Sequence, residues 1–179
     1  MGEGFELPES HHEGEDNPLV FPVSITISIM AVLAATVTLM GHRAHTEELL
    51  RQSQSADKWA QYQAKSVRLH ETQGFSDVVN IVSTMDREKG EALREKYKKE
   101  VEHYQSDKED ISKEATELAA DRDLAGHKGD RFDGGEALLE IGLVICSITM
   151  LTKRKLFWFG GMLIGAAGLA IALTGFLLH

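Results

Sequence analysis

The 179-residue chain is short of three things: cysteine, proline and positive charge. A single thiol, Cys146, cannot form an intramolecular disulfide, and its apolar neighbours make it a small packing residue rather than an activated nucleophile. The 19 Lys and Arg are outnumbered by 28 Asp and Glu, a net charge of −9. That balance excludes nucleic acid as a partner, which would require a basic patch. It also excludes a surface held to anionic lipid by polybasic contacts. Proline stands only at Pro8, Pro18 and Pro22, so none interrupts the helix formers of residues 42–73. Missing too are a Gly-rich phosphate loop, a metal-ligand set and a nucleophile with a matching base. No catalytic, cofactor-binding or metal-ligating residue is therefore assigned, and an enzyme is not expected.

What the chain does have is a division between uncharged stretches and a densely charged middle. Residues 19–41 carry no charge across about 23 residues, enough for one crossing of a bilayer. The start is acidic and no small-residue cleavage site follows, so this reads as a retained anchor and not a signal peptide. Residues 134–152 and 156–178 are the second and third candidate spans, joined by the short basic turn Thr152-Lys153-Arg154-Lys155. In the third, Gly161, Gly165, Gly168, Ala172 and Gly175 recur at alternating spacings of four and three and share one face. Ser24, Ser28, Ala31, Ala35 and Thr38 repeat the alternation in the first, and Gly142, Cys146 and Thr149 give the second a small surface. Small faces let helix backbones approach closely in lipid, so the first and third spans are expected to form a close pair. Glu136 and Glu140 share a face of the second span, and Glu140 lies deep enough to be costly unless paired, protonated or hydrated. Trp158 fits an aromatic belt, and Phe132 is an interfacial anchor candidate.

Residues 1–18 form an acidic tail, expected to be mobile, in which His11-His12 is a solvated pair. Residues 42–133 are expected to form an extramembrane helical hairpin. Its outgoing seam is Leu49, Ala56, Ala60 and Val67. The returning seam is Tyr97, Val101, Tyr104, Lys108, Ile111, Ala115 and Leu118 at strict heptad spacing. Gly74 is expected to end the outgoing helix, residues 75–85 to fold separately at the far end, and residues 86–90 to form a second weak point. Gly126-His127-Lys128-Gly129-Asp130 is expected to be a flexible joint. His42 and His45 could share a ligand, but without a third group a polar membrane-boundary face is the better reading. The stalk should reach about 45–50 Å from the bilayer at helical rise.

The fold class is thus all-α: three transmembrane helices with a long antiparallel helical hairpin, a coiled-coil stalk, between the first and second. Asp57-Lys58-Trp59-Ala60-Gln61-Tyr62-Gln63-Ala64-Lys65, then a charged coiled coil, Arg131-Phe132-Asp133, and a hairpin around Leu151-Thr152-Lys153-Arg154-Lys155 follow one another in an order that resembles the bacterial membrane family called domain of unknown function 4337. The resemblance covers nearly all of the chain after the acidic tail and implies the same architecture. It carries no activity and transfers no catalytic residue.

The short Lys153-Arg154-Lys155 turn places that loop and the N-terminus in the cytoplasm of a bacterial inner membrane, and the coiled coil in the periplasm. The expected function is that of a structural or interaction protein, a scaffold or accessory subunit. It would assemble with its own copies or brace a larger membrane complex, with the lipid bilayer as its other partner. The alternative is an oligomeric ion- or proton-conducting protein built on Glu140.

Overall fold

The computed structural model describes residues 18–82 and 87–178, and these form three α-helices: α1 Val20–Val82, α2 Arg87–Thr152 and α3 Lys155–Leu177. No strand occurs among the described residues. The acidic tail with His11-His12, and residues 83–86 where segment 75–85 ends and the expected weak point begins, lie outside them. All three helices contain a stretch long and apolar enough to cross a membrane, as a membrane protein requires.

The glycines expected to break the long helices do not break them. α1 runs unbroken through Gly41 and Gly74, and α2 runs unbroken through Gly90, Gly126 and Gly129. A glycine inside a helix costs about 1 kcal/mol, which flanking helix formers in so long an element easily offset. The flexible joint at 126–130 and the separate segment after Gly74 are therefore not found. At about 1.5 Å per residue, the length of α1 beyond Gly41 is about 60 Å, longer than the 45–50 Å expected from a helix that stops at Gly74.

α1 and α2 lie against each other in opposite directions. As residue numbers rise along α1 they fall along α2: Thr38 meets Glu136, His45 meets Asp133, Ser55 meets Ala115 and Lys65 meets Asp107. Leu19, Val20 and Val23 lie beside Thr149 and Met150, at the end where α2 gives way to α3. At the other end, Phe132 is buried between Gly41 of α1 and Gly175 of α3, its ring edge-on to Phe176 at 5.2 Å. Phe132 is thus a core residue and not an interfacial anchor. It also lengthens the second apolar segment: the part of α2 alongside α3 runs from Phe132 to Thr152, about 30 Å and a full hydrocarbon thickness.

The turn between α2 and α3 is very short. Lys153 has φ 55°, the left-handed conformation that usually calls for glycine at a helix C-terminus. Its N–H still donates to the Thr149 carbonyl at 2.8 Å. Above the apolar segment α3 ends, and α1 and α2 continue as a pair.

Candidate interaction surfaces

Among the described residues, α2 and α3 approach each other backbone to backbone. The five buried residues of α3 are Gly161, Gly165, Gly168, Ala172 and Gly175. A Cβ on Gly161 would stand 2.6 Å from the Gly142 carbonyl oxygen, and one on Gly168 would stand 2.7 Å from the Gly135 carbonyl oxygen. A Cβ on Gly142 would meet the Gly161 carbonyl oxygen at 2.7 Å. Backbone lies against backbone here, the geometry that small residues permit in an apolar medium. Gly165 differs, since its nearest neighbour is the Met30 methyl group, the tip of a flexible side chain. Cys146 is fully buried, with Sγ 3.7 Å from the Trp158 carbonyl oxygen. The Trp158 indole N–H donates to Thr26 Oγ1 at 3.2 Å and ties α3 to α1. Thr149 Oγ1 is buried with no hydrogen-bond partner among the described residues.

The expected close pair of α1 with α3 does not form. The two helices are separated by an apolar groove of about 270 Å³ between Met30, Leu33, Gly165 and Leu169. The stripe meant for that contact points elsewhere: Ser28, Ala31 and Ala35 are exposed and Ser24 half-buried, whereas Val23, Met30, Ala34, Val37 and Gly41 face inward. Bulky side chains win the inner face of α1 because it packs on α2, whose own glycines are already committed to α3.

The outgoing seam also differs. Leu49, Ala56, Ala60 and Val67 are all exposed. The residues facing α2 follow a heptad one to two positions earlier, through Ala44, Glu48, Arg51, Ser55, Lys58, Tyr62, Lys65, Leu69 and Thr72. Most are polar and are held by specific bonds. Ser55 Oγ donates to the Ala115 carbonyl at 3.0 Å, Lys58 pairs with Glu114, and Arg51 lies 3.6 Å from Asp121. Lys65 Nζ donates to Asp107 at 2.5 Å, a bond that holds the Asp107 carboxyl below the ordinary carboxylate range. Lys108 Nζ sits 4.9 Å over the Tyr62 ring and donates to Ser66 Oγ at 3.3 Å, so the polar intrusion in the returning seam is a bridging residue. On that side Ala115 is buried and Tyr97, Val101, Tyr104, Ile111 and Leu118 are half-buried, turned to α1. The outgoing helix shows no such hydrophobic spacing on its inward side. Only the pairing of Lys58 and Lys65 with acids on α2 would have found the outgoing seam.

Where the pair leaves the apolar segment, His45 bridges the helices. Its Nδ1 is 3.1 Å from Glu48 Oε2 and its Nε2 is 3.0 Å from Asp133 Oδ2. Hydrogen bonds to Asp133 first and Glu48 second raise its pKa above the ordinary 6.5. A Cβ on Gly129 would stand 2.6 Å from His45 Cε1, and one on Gly126 3.1 Å from the Glu48 carboxyl. Those glycines make room for the bridge. His42 is exposed, and both His45 ring nitrogens face carboxylates, so the two histidines share no ligand.

Two carboxylates lie within the apolar length of α2. Glu136 Oε1 is 2.7 Å from Thr38 Oγ1, which also reaches the Ala34 carbonyl. Glu140, one turn further in, is exposed on the outer side of the three helices.

The family model described as Domain of unknown function (DUF4337) matches residues 21–178. The chain belongs to this family. No curated protein and no solved structure matches it. The matched range spans the residues of the α2·α3 glycine contact, the His45 bridge and the polar seam alike.

Proposed function

We propose that this DUF4337 protein is a membrane-anchored structural protein and not an enzyme. Three helices hold it in the bilayer, and α1 and α2 together form an antiparallel coiled-coil stalk that carries a contact surface away from it. The observation that supports this most is the continuity of α1 and α2 from apolar segment to tip, cross-braced by His45, Lys58 and Lys65. A rigid extension of about 60 Å suits a spacer, a brace or an assembly partner. The Lys153-Arg154-Lys155 turn favours a cytoplasmic location for itself and the N-terminus, and hence a periplasmic stalk, in a bacterial inner membrane.

Exposure of Glu140 favours a second reading, a proton- or ion-conducting oligomer, because a carboxylate on that face needs a partner. It turns away from the other two helices, so a pathway would have to lie between copies.

One experiment addresses both orientation and role. Single cysteines at Ser106 and at Ser10, in a Cys146→Ser background, are treated on intact cells with a membrane-impermeant thiol reagent. Labelling at Ser106 and not Ser10 is expected, and the reverse pattern inverts the topology. The same cells, solubilised in mild detergent, should yield a discrete particle larger than the 19.8 kDa chain. A helical monomer alone would overturn the scaffold reading.

A further inference from the structure

The outer side of α1 is a long exposed surface with little charge. Ala31, Leu49 and Val67 stand eighteen residues apart, five whole turns at about 3.6 residues per turn, so they lie on one line. Leu49 and Val67 are 66% and 59% exposed. Along the charged length, this side presents Leu49, Gln52, Ala56, Trp59, Ala60 and Val67, with no Asp, Glu, Lys or Arg among them. Between Ser28 and Val67 the charged residues of α1 are elsewhere: Arg51, Lys58 and Lys65 face α2, and Glu47 and Asp57 lie on the flanks; Glu71, one turn past Val67, marks the end of the uncharged run. Toward the N-terminus the same side continues as Ser28, Ala31 and Ala35.

Glu140 lies beside this face. Thr38, seven residues after Ala31, meets Glu136, four residues before Glu140, so Ala31 and Glu140 share one side of the α1·α2 pair. α3 covers the opposite side, where Thr26 and Gly142 meet it. Lipid is a poor cover for the carboxylate, and water is a poor cover for Leu49, Trp59 and Val67.

We infer that the outer face of α1, from Ser28 to Val67, is the seam between two parallel copies of this chain. Three features select a second copy over a foreign helix. The face keeps its phase from the apolar segment into the charged length, so its partner must leave the bilayer as a continuous helix of matching phase. A second copy inserted the same way does so by construction. Parallel copies also set each residue against itself, and such a contact tolerates no charge. From Ser28 to Val67 this face carries no Asp, Glu, Lys or Arg, only the His42 imidazole, on a helix charged on its other sides. Small residues within the bilayer and apolar residues at helical spacing beyond it are what a parallel helix pair needs at each level. The seam also brings Glu140 out of lipid, at its edge.

The inference rests on the membrane-anchored scaffold reading for the common orientation of the copies. Its test separates the two. Single cysteines at Ala56 and Val67, in the Cys146→Ser background, are oxidised in native membranes with copper–phenanthroline. Gln54 and Gln61, exposed on another side of α1, serve as controls. Disulfide-linked dimers of twice the chain mass are expected at Ala56 and Val67, at least about tenfold above the controls, since only the seam holds like residues together. Equal yields at all four positions would mean random collision and overturn the seam. Adducts of another mass at Ala56 and Val67 would overturn it in favour of a foreign partner while leaving the scaffold reading intact. Release of the chain from membranes by an alkaline wash would instead defeat the anchor itself. A second measurement uses Leu49→Glu with Val67→Glu: particle mass in detergent should fall to the monomer with helix content by circular dichroism unchanged. A double variant that stays dimeric overturns the seam.

Discussion

Gly168 and Gly160 lie eight residues apart in α3 and differ in one respect. A Cβ on Gly168 meets the backbone of α2, whereas one on Gly160 meets nothing within 4 Å. Gly168→Leu should therefore lower thermal stability in detergent by about 1–3 kcal/mol through overpacking, and Gly160→Leu should change it by less than about 0.5 kcal/mol. Gly165→Leu should fall between them, because the Met30 tip can swing aside. Identical behaviour of all three would remove the glycine contact as the cause of α2·α3 packing.

His45 supplies a pH dependence. Its bonds to Asp133 and Glu48 favour the charged imidazolium and raise its pKa. The pairing thus stabilises the folded chain fully below about pH 6.5 and is lost as pH rises through the raised value. The side chain is about a third exposed, so after solvent screening the effect should be under about 1 kcal/mol. Melting at pH 5.5 and 8.5 should show a higher midpoint at the lower pH, and His45→Gln should reduce that difference. An unchanged difference in the variant would assign the pH dependence to other groups.

At the scale of the helix, Gly74 is the exception among the glycines of α1. Nothing lies within 4 Å of a Cβ there, and the helix runs through it. Gly74→Ala should stabilise the chain by about 0.5–1 kcal/mol, read as a raised melting temperature. Destabilisation would mean that α1 is not continuous at that point. Much of each helix was legible in the sequence. The four-three spacing of Gly161 to Gly175 already marks the side of α3 that lies buried, because an apolar segment gives glycine few other uses. The α1 seam was not legible, because the rule that apolar residues face inward reverses there: Lys58 and Lys65 lie inside against acids, while Leu49 and Val67 lie outside. Gly126 and Gly129 read as a hinge for a related reason. Glycine permits both bending and close approach, and only the side chains of Glu48 and His45 show which is in use.

For the molecule as a whole, the order of apolar and charged stretches was enough to give three helices, but not where each one stops. The end of the apolar stretch has no backbone signature in α1 or α2, since both helices run past it without a break. That continuity makes the protein a ruler and a protractor in one. Distance beyond the apolar stretch is fixed by residue count, at about 10 Å for every seven residues. Azimuth is fixed as well, because each residue turns the chain by about 100° and no loop absorbs the rotation. A roll of α1 about its axis in the apolar stretch would therefore reappear at the far end as the same roll, with the His45 bridge and the lysine pairs carrying α2 along.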